Sequence, residues 1–208
     1  DGFLGYELHG SYFKGFDANL MLLKRLGVSV DNPRIQRAKN ALLEWKGTDD
    51  PFYRAGTTMD EYGRAGFKAV IANTLLDLEC DEETHLIQEQ IGLAVEAFAG
   101  AMTYGSIDEF ARAAKYRGQD VRYYIKGSVF PDQNHIDILS KSVSWRNQAN
   151  LQMVGKSYKH CYNLRKTYPQ PLYINDGYFL GPFDRWWNFD RIDSVSGFGN
   201  QSIQFLWW

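Results

Sequence analysis

Apolar residues recur at helical spacing through most of the first 165 residues, and the pattern returns at a fixed offset. Phe16, Leu20, Leu23 and Leu26 fall on one helical stripe, and Gly27 is free to take the left-handed conformation that closes a helix. Asn32-Pro33, a capping side chain followed by proline in the first turn, opens a second helix with Ile35, Ala38, Leu42 and Trp45 on one face and Gly47 as its stop. Phe67, Val70, Ile71, Thr74, Leu75 and Leu78 start the pattern again. Asp81 offers the next cap, and Leu86, Ile87, Ile91, Ala94, Val95 and Phe98 continue it. A shift of 52 residues lays Leu23 on Leu75, Leu26 on Leu78, Ile35 on Ile87, Gln36 on Gln88 and Leu43 on Val95. A further shift of 64 puts Leu139 under Leu75, Leu151 under Ile87 and Gln152 under Gln88, with an insertion near 104–132 absorbing the difference. One helical hairpin cannot cover its own apolar face, so such units stack and share a core.

Further helices are predicted over 107–116, 134–143 and 147–165. After Pro169 the pattern changes: Leu172-Tyr173-Ile174 and Tyr178-Phe179-Leu180 flank Asn175-Asp176-Gly177, the signature of a short hairpin. Two regions result, a helical-hairpin repeat domain over 1–170 and an aromatic C-terminal segment over 171–208 packed on it. With 208 residues, 44% of them apolar and 23% charged, the chain is long and apolar enough to bury a sizeable core, which excludes a disordered or collagen-like polymer. No apolar run reaches the length of a membrane span. Cys80 and Cys161 are too few for a disulfide framework and lie outside any Cys-x-x-Cys pair, which predicts buried thiols in a reducing, cytoplasmic compartment.

The segment Leu22-Leu23-Lys24-Arg25-Leu26-Gly27-Val28, followed by Asp31-Asn32-Pro33-Arg34-Ile35-Gln36-Arg37-Ala38 and Leu42-Leu43-Glu44-Trp45, resembles the repeat unit of the prenyltransferase and squalene-cyclase group. There a short loop bearing Asp-x-Pro-x-Ile/Val joins an inner and an outer helix. The resemblance covers 15–100 and, more thinly, 134–165. It implies a mainly α fold of stacked helical hairpins, a partial α/α toroid with a short irregular or β-hairpin C-terminal part. About three hairpins are visible where about six close a ring, which implies an open version or a piece of a longer array. The Asp-x-Asp-Asp acid motif of class II terpene cyclases does not occur, nor does the Asp-x-Cys pair that helps hold zinc in protein prenyltransferases. What the resemblance implies is therefore a cavity for an apolar ligand with an anionic, diphosphate-like head, in a binding protein or a degenerate enzyme.

Charge is unevenly spread. The chain totals 23 Lys/Arg and 25 Asp/Glu, yet residues 112–166 hold 11 Lys/Arg against 3 Asp/Glu, a block of net charge +8. Arg112, Lys115, Tyr116, Arg117, Arg122, Tyr123, Tyr124 and Lys126 interleave cations with aromatics, and Arg146, Lys156, Lys159, Arg165 and Lys166 follow on or near one helix. Such a block attracts anions. The candidate anion-binding residues are Arg117, Arg122, Lys126, Arg146, Lys156 and Lys159, and the candidate aromatic lining is Tyr123, Tyr124, Trp186 and Trp187. Three functions compete: a small apolar or anionic ligand held by Arg117, Arg122 or Lys126; nucleic acid held by the 112–166 block, with tyrosines stacking on unpaired bases; and a protein-interaction scaffold whose basic block docks on an acidic partner. The plainer alternative is a solvated basic face neutralised by the acidic first half, within the chain or across a self-association contact.

The remaining constellations have simpler explanations. Cys80, His85, His160 and Cys161 are the right inventory for zinc without the spacing, so no metal site and no cofactor are expected. Asp77, Asp81 and their acidic neighbours resemble a magnesium-diphosphate motif, but acids in a helix's first turn are accounted for by its dipole. Gly63-Arg64-Ala65-Gly66 lacks the strand and the Lys-Ser/Thr of a phosphate loop. The tail's Phe179, Phe183, Trp186, Trp187 and Trp207 read as a plug over the open end of the helical stack, with a sugar or carbocation site as the alternative.

Overall fold

Each helical stripe read between residues 16 and 101 becomes a helix. The computed structural model of the chain describes residues 15–44, 67–116, 118–125, 128, 130–131, 133–166 and 172–173. Within them lie α1 (Phe16–Arg25), α2 (Pro33–Leu43), α3 (Phe67–Asp77), α4 (His85–Ala101), a 3₁₀ turn (Ile107–Glu109), β1 (Ala111–Tyr116), β2 (Gln119–Tyr124), α5 (Gln133–Lys141), α6 (Gln148–Lys166) and β3 (Leu172–Tyr173). The described chain is mainly helical. Trp45, Gly47, Gly63-Arg64-Ala65-Gly66 and the Tyr178-Phe179-Leu180 arm lie outside the described residues.

The first two helix pairs are joined by turns with corresponding bonds. Val28 N donates to Leu23 O and Gly27 N to Lys24 O, both 3.0 Å; 52 positions later Cys80 N donates to Leu75 O and Glu79 N to Leu76 O, again 3.0 Å. This is the helix-closing pair of bonds that needs one left-handed residue, supplied by Gly27 at φ +80° and by Glu79 at φ +58°. The following residues match too. Asn32 N and Thr84 N donate to Ser29 O and Asp81 O at 3.1 Å, and Asp31 N and Glu83 N donate to the side chains of Ser29 and Asp81. Asn32 caps α2 by accepting from Arg34 N at 2.9 Å, with Pro33 in the first turn. Asp81 does not cap α4; the N-cap is Thr84, and Asp81 spends its carboxylate inside the turn.

Helices α1, α3 and α5 pack side by side, α4 packs on α3, α5 and α6, and α2 rests on α3. One core runs through them. Leu20, Ile35, Leu42, Leu75, Ile87, Phe98, Leu139 and Cys161 are all buried in it. Superimposed positions agree at Ile35 and Ile87 and at Leu75 and Leu139, which are buried in each case. They diverge at Leu26, 71% exposed where Leu78 is 4% exposed. The recurring Gln has no shared role: Gln36 donates to Val30 O at 2.8 Å, whereas Gln88 and Gln152 are exposed.

The helix predicted over 107–116 is a correction. A 3₁₀ turn occupies Ile107–Glu109 and β1 begins at Ala111, pairing antiparallel with β2 from Ala111 opposite Tyr124 to Tyr116 opposite Gln119. Ile107, Phe110, Ala111 and Ala114 do have helical spacing, but the chain reverses at Gly118, φ +81°, and the segment takes its hydrogen bonds from a neighbouring strand rich in β-formers. Phe110 anchors this hairpin by stacking on Phe130 at 4.3 Å between ring centroids. β3 extends the sheet in the order β1-β2-β3, parallel to β2 with Arg122 opposite Leu172 and Tyr123 opposite Tyr173. The strand predicted at 172–174 thus exists over Leu172–Tyr173, and its described partner is β2.

Candidate functional site

The described cations of the basic block lie on the β1–β2 hairpin, at the end of α5 with the turn that follows it, and on α6. In the hairpin, Arg122 stands opposite Ala113. Its Nη1 donates to Ala111 O at 2.9 Å and pairs with the Asp108 carboxylate, so the guanidinium ties the strand to the preceding 3₁₀ turn. Arg112 and Lys115 are exposed on β1. The backbone of Tyr123 and Tyr124 lies in β2, opposite Arg112 and Ala111. Arg117, Lys126, Trp186 and Trp187 lie outside the described residues.

Arg146 sits in the turn between α5 and α6. It donates from Nη2 to Ser140 O at 3.1 Å and lies 6.0 Å from the Trp145 ring centroid. Trp145 is 7% exposed and donates from Nε1 to Leu139 O and Ser142 O, capping the end of α5. Past Ser142, whose amide still donates to Ile138 O at 3.0 Å, the amides do not fold back as they do after α1 and α3. Val143 N and Ser144 N instead donate to the carboxylate of Glu82 in the neighbouring turn, at 2.9 to 3.1 Å. Burial works against the charged form of Glu82, yet the bonds from Ser144 and Val143, with the Arg146 charge nearby, prevail and hold its carboxyl below the usual value. Burial lowers the Arg146 value, and Glu82 opposes that.

A second clasp lies at the same end of α3. Asp77 accepts Lys141 Nζ on its carboxylate at 2.8 Å, and its carbonyl accepts Lys24 Nζ at 2.5 Å. Three of the five acids that resemble a magnesium motif are thereby engaged: Asp77 with Lys141, Asp81 with Glu83 N, Glu82 with the α5–α6 turn. Among the described residues no group of three His, Cys, Asp or Glu is placed to hold a metal ion. The sequence hid the clasps because its acids at 81–83 read as the first turn of the next helix, whereas that helix has no acid in its first turn and Asp77 ends α3. The readable signal was that Asp77 and Lys141, opposite in charge, occupy superimposed positions.

Lys156 and Lys159 differ from the two arginines. Both are exposed on α6, three residues apart and so on one helical face. The cysteines are core residues. Cys161 is fully buried, its thiol pushed up to about 12 by burial, with Ser157 opposing. Burial also raises the Cys80 thiol, against the charge of Lys39. His160 is half-buried and donates from Nε2 to Tyr104 O at 2.7 Å, joining α6 to the end of α4. His135 is buried in α5, on the stripe that faces the core. No helix among the described residues is long and apolar enough to cross a membrane. Comparison with protein-family models, with curated proteins and with solved structures finds no match to this chain.

Proposed function

We propose that the chain is an interaction scaffold: a tandem array of helical hairpins, open where the resembling prenyltransferase and cyclase toroids are closed, that binds a macromolecular partner on the outer surface of its helices. The repeat reading is supported by the corresponding bonds of the α1–α2 and α3–α4 turns and by the equal burial of Leu75 and Leu139. One observation carries the functional reading. Among the described residues, the two candidate arginines are engaged by the chain itself, Arg122 by Asp108 and Ala111 O, Arg146 by Ser140 O and the Glu82 charge, whereas Lys156 and Lys159 face outward on α6.

A ligand that binds only the folded state raises the melting temperature in proportion to the logarithm of its concentration over Kd. Titration with an isoprenyl diphosphate to about 1 mM should leave the melting temperature within about 1 °C of the free protein. A rise of several degrees that Arg122→Ala removes would overturn the scaffold reading in favour of an enclosed ligand. Retention of a single-stranded oligonucleotide, with affinity falling steeply as salt rises, would overturn it in favour of nucleic acid.

A further inference from the structure

Two glycines lie in the middle of exposed helical surface, Gly92 on α4 and Gly155 on α6. Glycine weakens a helix interior relative to alanine. A Cβ on either would meet nothing within 4 Å, so the packing of this chain does not call for a missing side chain at either place.

The surroundings of the two glycines are complementary. Beside Gly92, Glu89, Leu93 and Glu96 are all exposed, three and four residues apart on one stripe of α4, with Leu93 45% exposed between the two acids. Beside Gly155, Lys156 and Lys159 are exposed on α6. Glu89 meets Lys68 at 3.5 Å in a pair open to solvent, which is a weak contact; Glu96, Lys156 and Lys159 make no ion pair among the described residues. α4, with exposed glutamates around a protruding leucine, packs against α6, with exposed lysines beside a gap.

We infer that this surface pairs with a second copy of the chain, α4 of one protomer against α6 of its partner, across a two-fold axis. With the two helices antiparallel and Leu93 seated over Gly155, Glu89 faces Lys159 one turn along and Lys156 lies between the two glutamates, with each set of contacts made twice. A two-fold contact of this kind closes on itself and stops at the dimer. An unrelated acidic partner would neutralise α6 but leave Leu93 bare and Glu96 without a cation; a second copy meets both stripes. The inference rests on the scaffold reading above and names the partner.

Sedimentation equilibrium of the full chain at about 100 µM should return twice the 24.0 kDa protomer mass. Lys156→Glu with Lys159→Glu, and separately Glu89→Lys with Glu96→Lys, should each weaken the dimer at least about tenfold, because like charges then face each other. An equimolar mixture of the two double variants should restore it, as a heterodimer in which every opposed pair is again of opposite sign. Gly155→Leu fills the gap while improving helix propensity, so it should cut dimerisation without lowering the melting temperature. A wild-type protein that stays monomeric at that concentration, or a dimer that neither double reversal weakens, overturns the inference. In the monomeric case, poly-glutamate binding that depends on Lys156 and Lys159 would leave the scaffold reading standing; without such binding both fall.

Discussion

The α3–α4 turn holds itself, whereas the amides of the α5–α6 turn are held by its neighbour. After α3 the amides of Glu79 and Cys80 fold back onto α3 carbonyls, and Glu79 adopts φ +58° to let them do so. After α5 the amides at the superimposed positions, Val143 and Ser144, turn outward to Glu82, and no residue of 142–147 takes a positive φ. A helix C-terminus leaves its last carbonyls without helical donors. After α3 the backbone amides supply them at the cost of strain; after α5 the side chains of Trp145 and Arg146 do, which leaves the amides of Val143 and Ser144 to Glu82 and makes the third hairpin depend on the second. Lys141 on Asp77 adds to that dependence, as does Ser157, whose hydroxyl donates to Phe98 O on α4.

The largest effect should come where the two hairpins are alike. Leu75→Ala and Leu139→Ala each remove a fully buried side chain from superimposed positions, and each should lower the unfolding free energy by about 2–5 kcal/mol in chemical denaturation. If one costs several-fold less than the other, the two hairpins are not packed equivalently. Glu82→Ala separates the turns: it strands the amides of Val143 and Ser144 and should cost about 1–2 kcal/mol. Hydrogen exchange should speed up at those two amides and not at Glu79 and Cys80; equal acceleration at both turns would dissolve the distinction.

Smaller effects probe the strained, self-closed turns. Gly27→Ala places a Cβ on a left-handed residue with open space around it, so only the conformation is penalised, by about 1 kcal/mol. Glu79→Gly relieves the same conformation and should stabilise by about 0.5–1 kcal/mol. Opposite signs at the two superimposed positions are the signature to look for in thermal unfolding. The smallest effect concerns pH. The folded-state carboxyl of Glu82 lies below its ordinary value of 4.5, so its contribution is complete above that value and is lost as pH falls through the lower folded one. Because Glu82 is partly open to solvent the loss should stay under about 1 kcal/mol, and Glu82→Gln should flatten the acid limb of melting temperature against pH. An unchanged limb in that variant would mean that the carboxylate charge does not hold the turn.

The helices were legible because their signals are local. Gly27, Asn32-Pro33 and the stripes of α1 to α4 each act within a few residues, and Gln148–Lys166 falls within one residue of the predicted 147–165. Glu79 carried no such signal, since glutamate seldom adopts a left-handed conformation, and only its place 52 residues after Gly27 marks it. The segment 107–116 was misread because Ile107, Phe110, Ala111 and Ala114 satisfy the helical period while the partner strand that overrides it comes later in the chain. Of the candidate anion-binding residues, composition singled out the cations but could not say which were already engaged. Asp108 lies 14 residues from Arg122, and Glu82 lies 64 from Arg146.

By itself the sequence determined the spacing and most of the ends of the helices, because these depend on side-chain spacing and capping within single turns. The tertiary structure alone decided which charges are engaged and which face outward, and whether residues 111–116 coil or pair. Both questions are settled by groups distant in the chain, whose approach depends on how the hairpins pack.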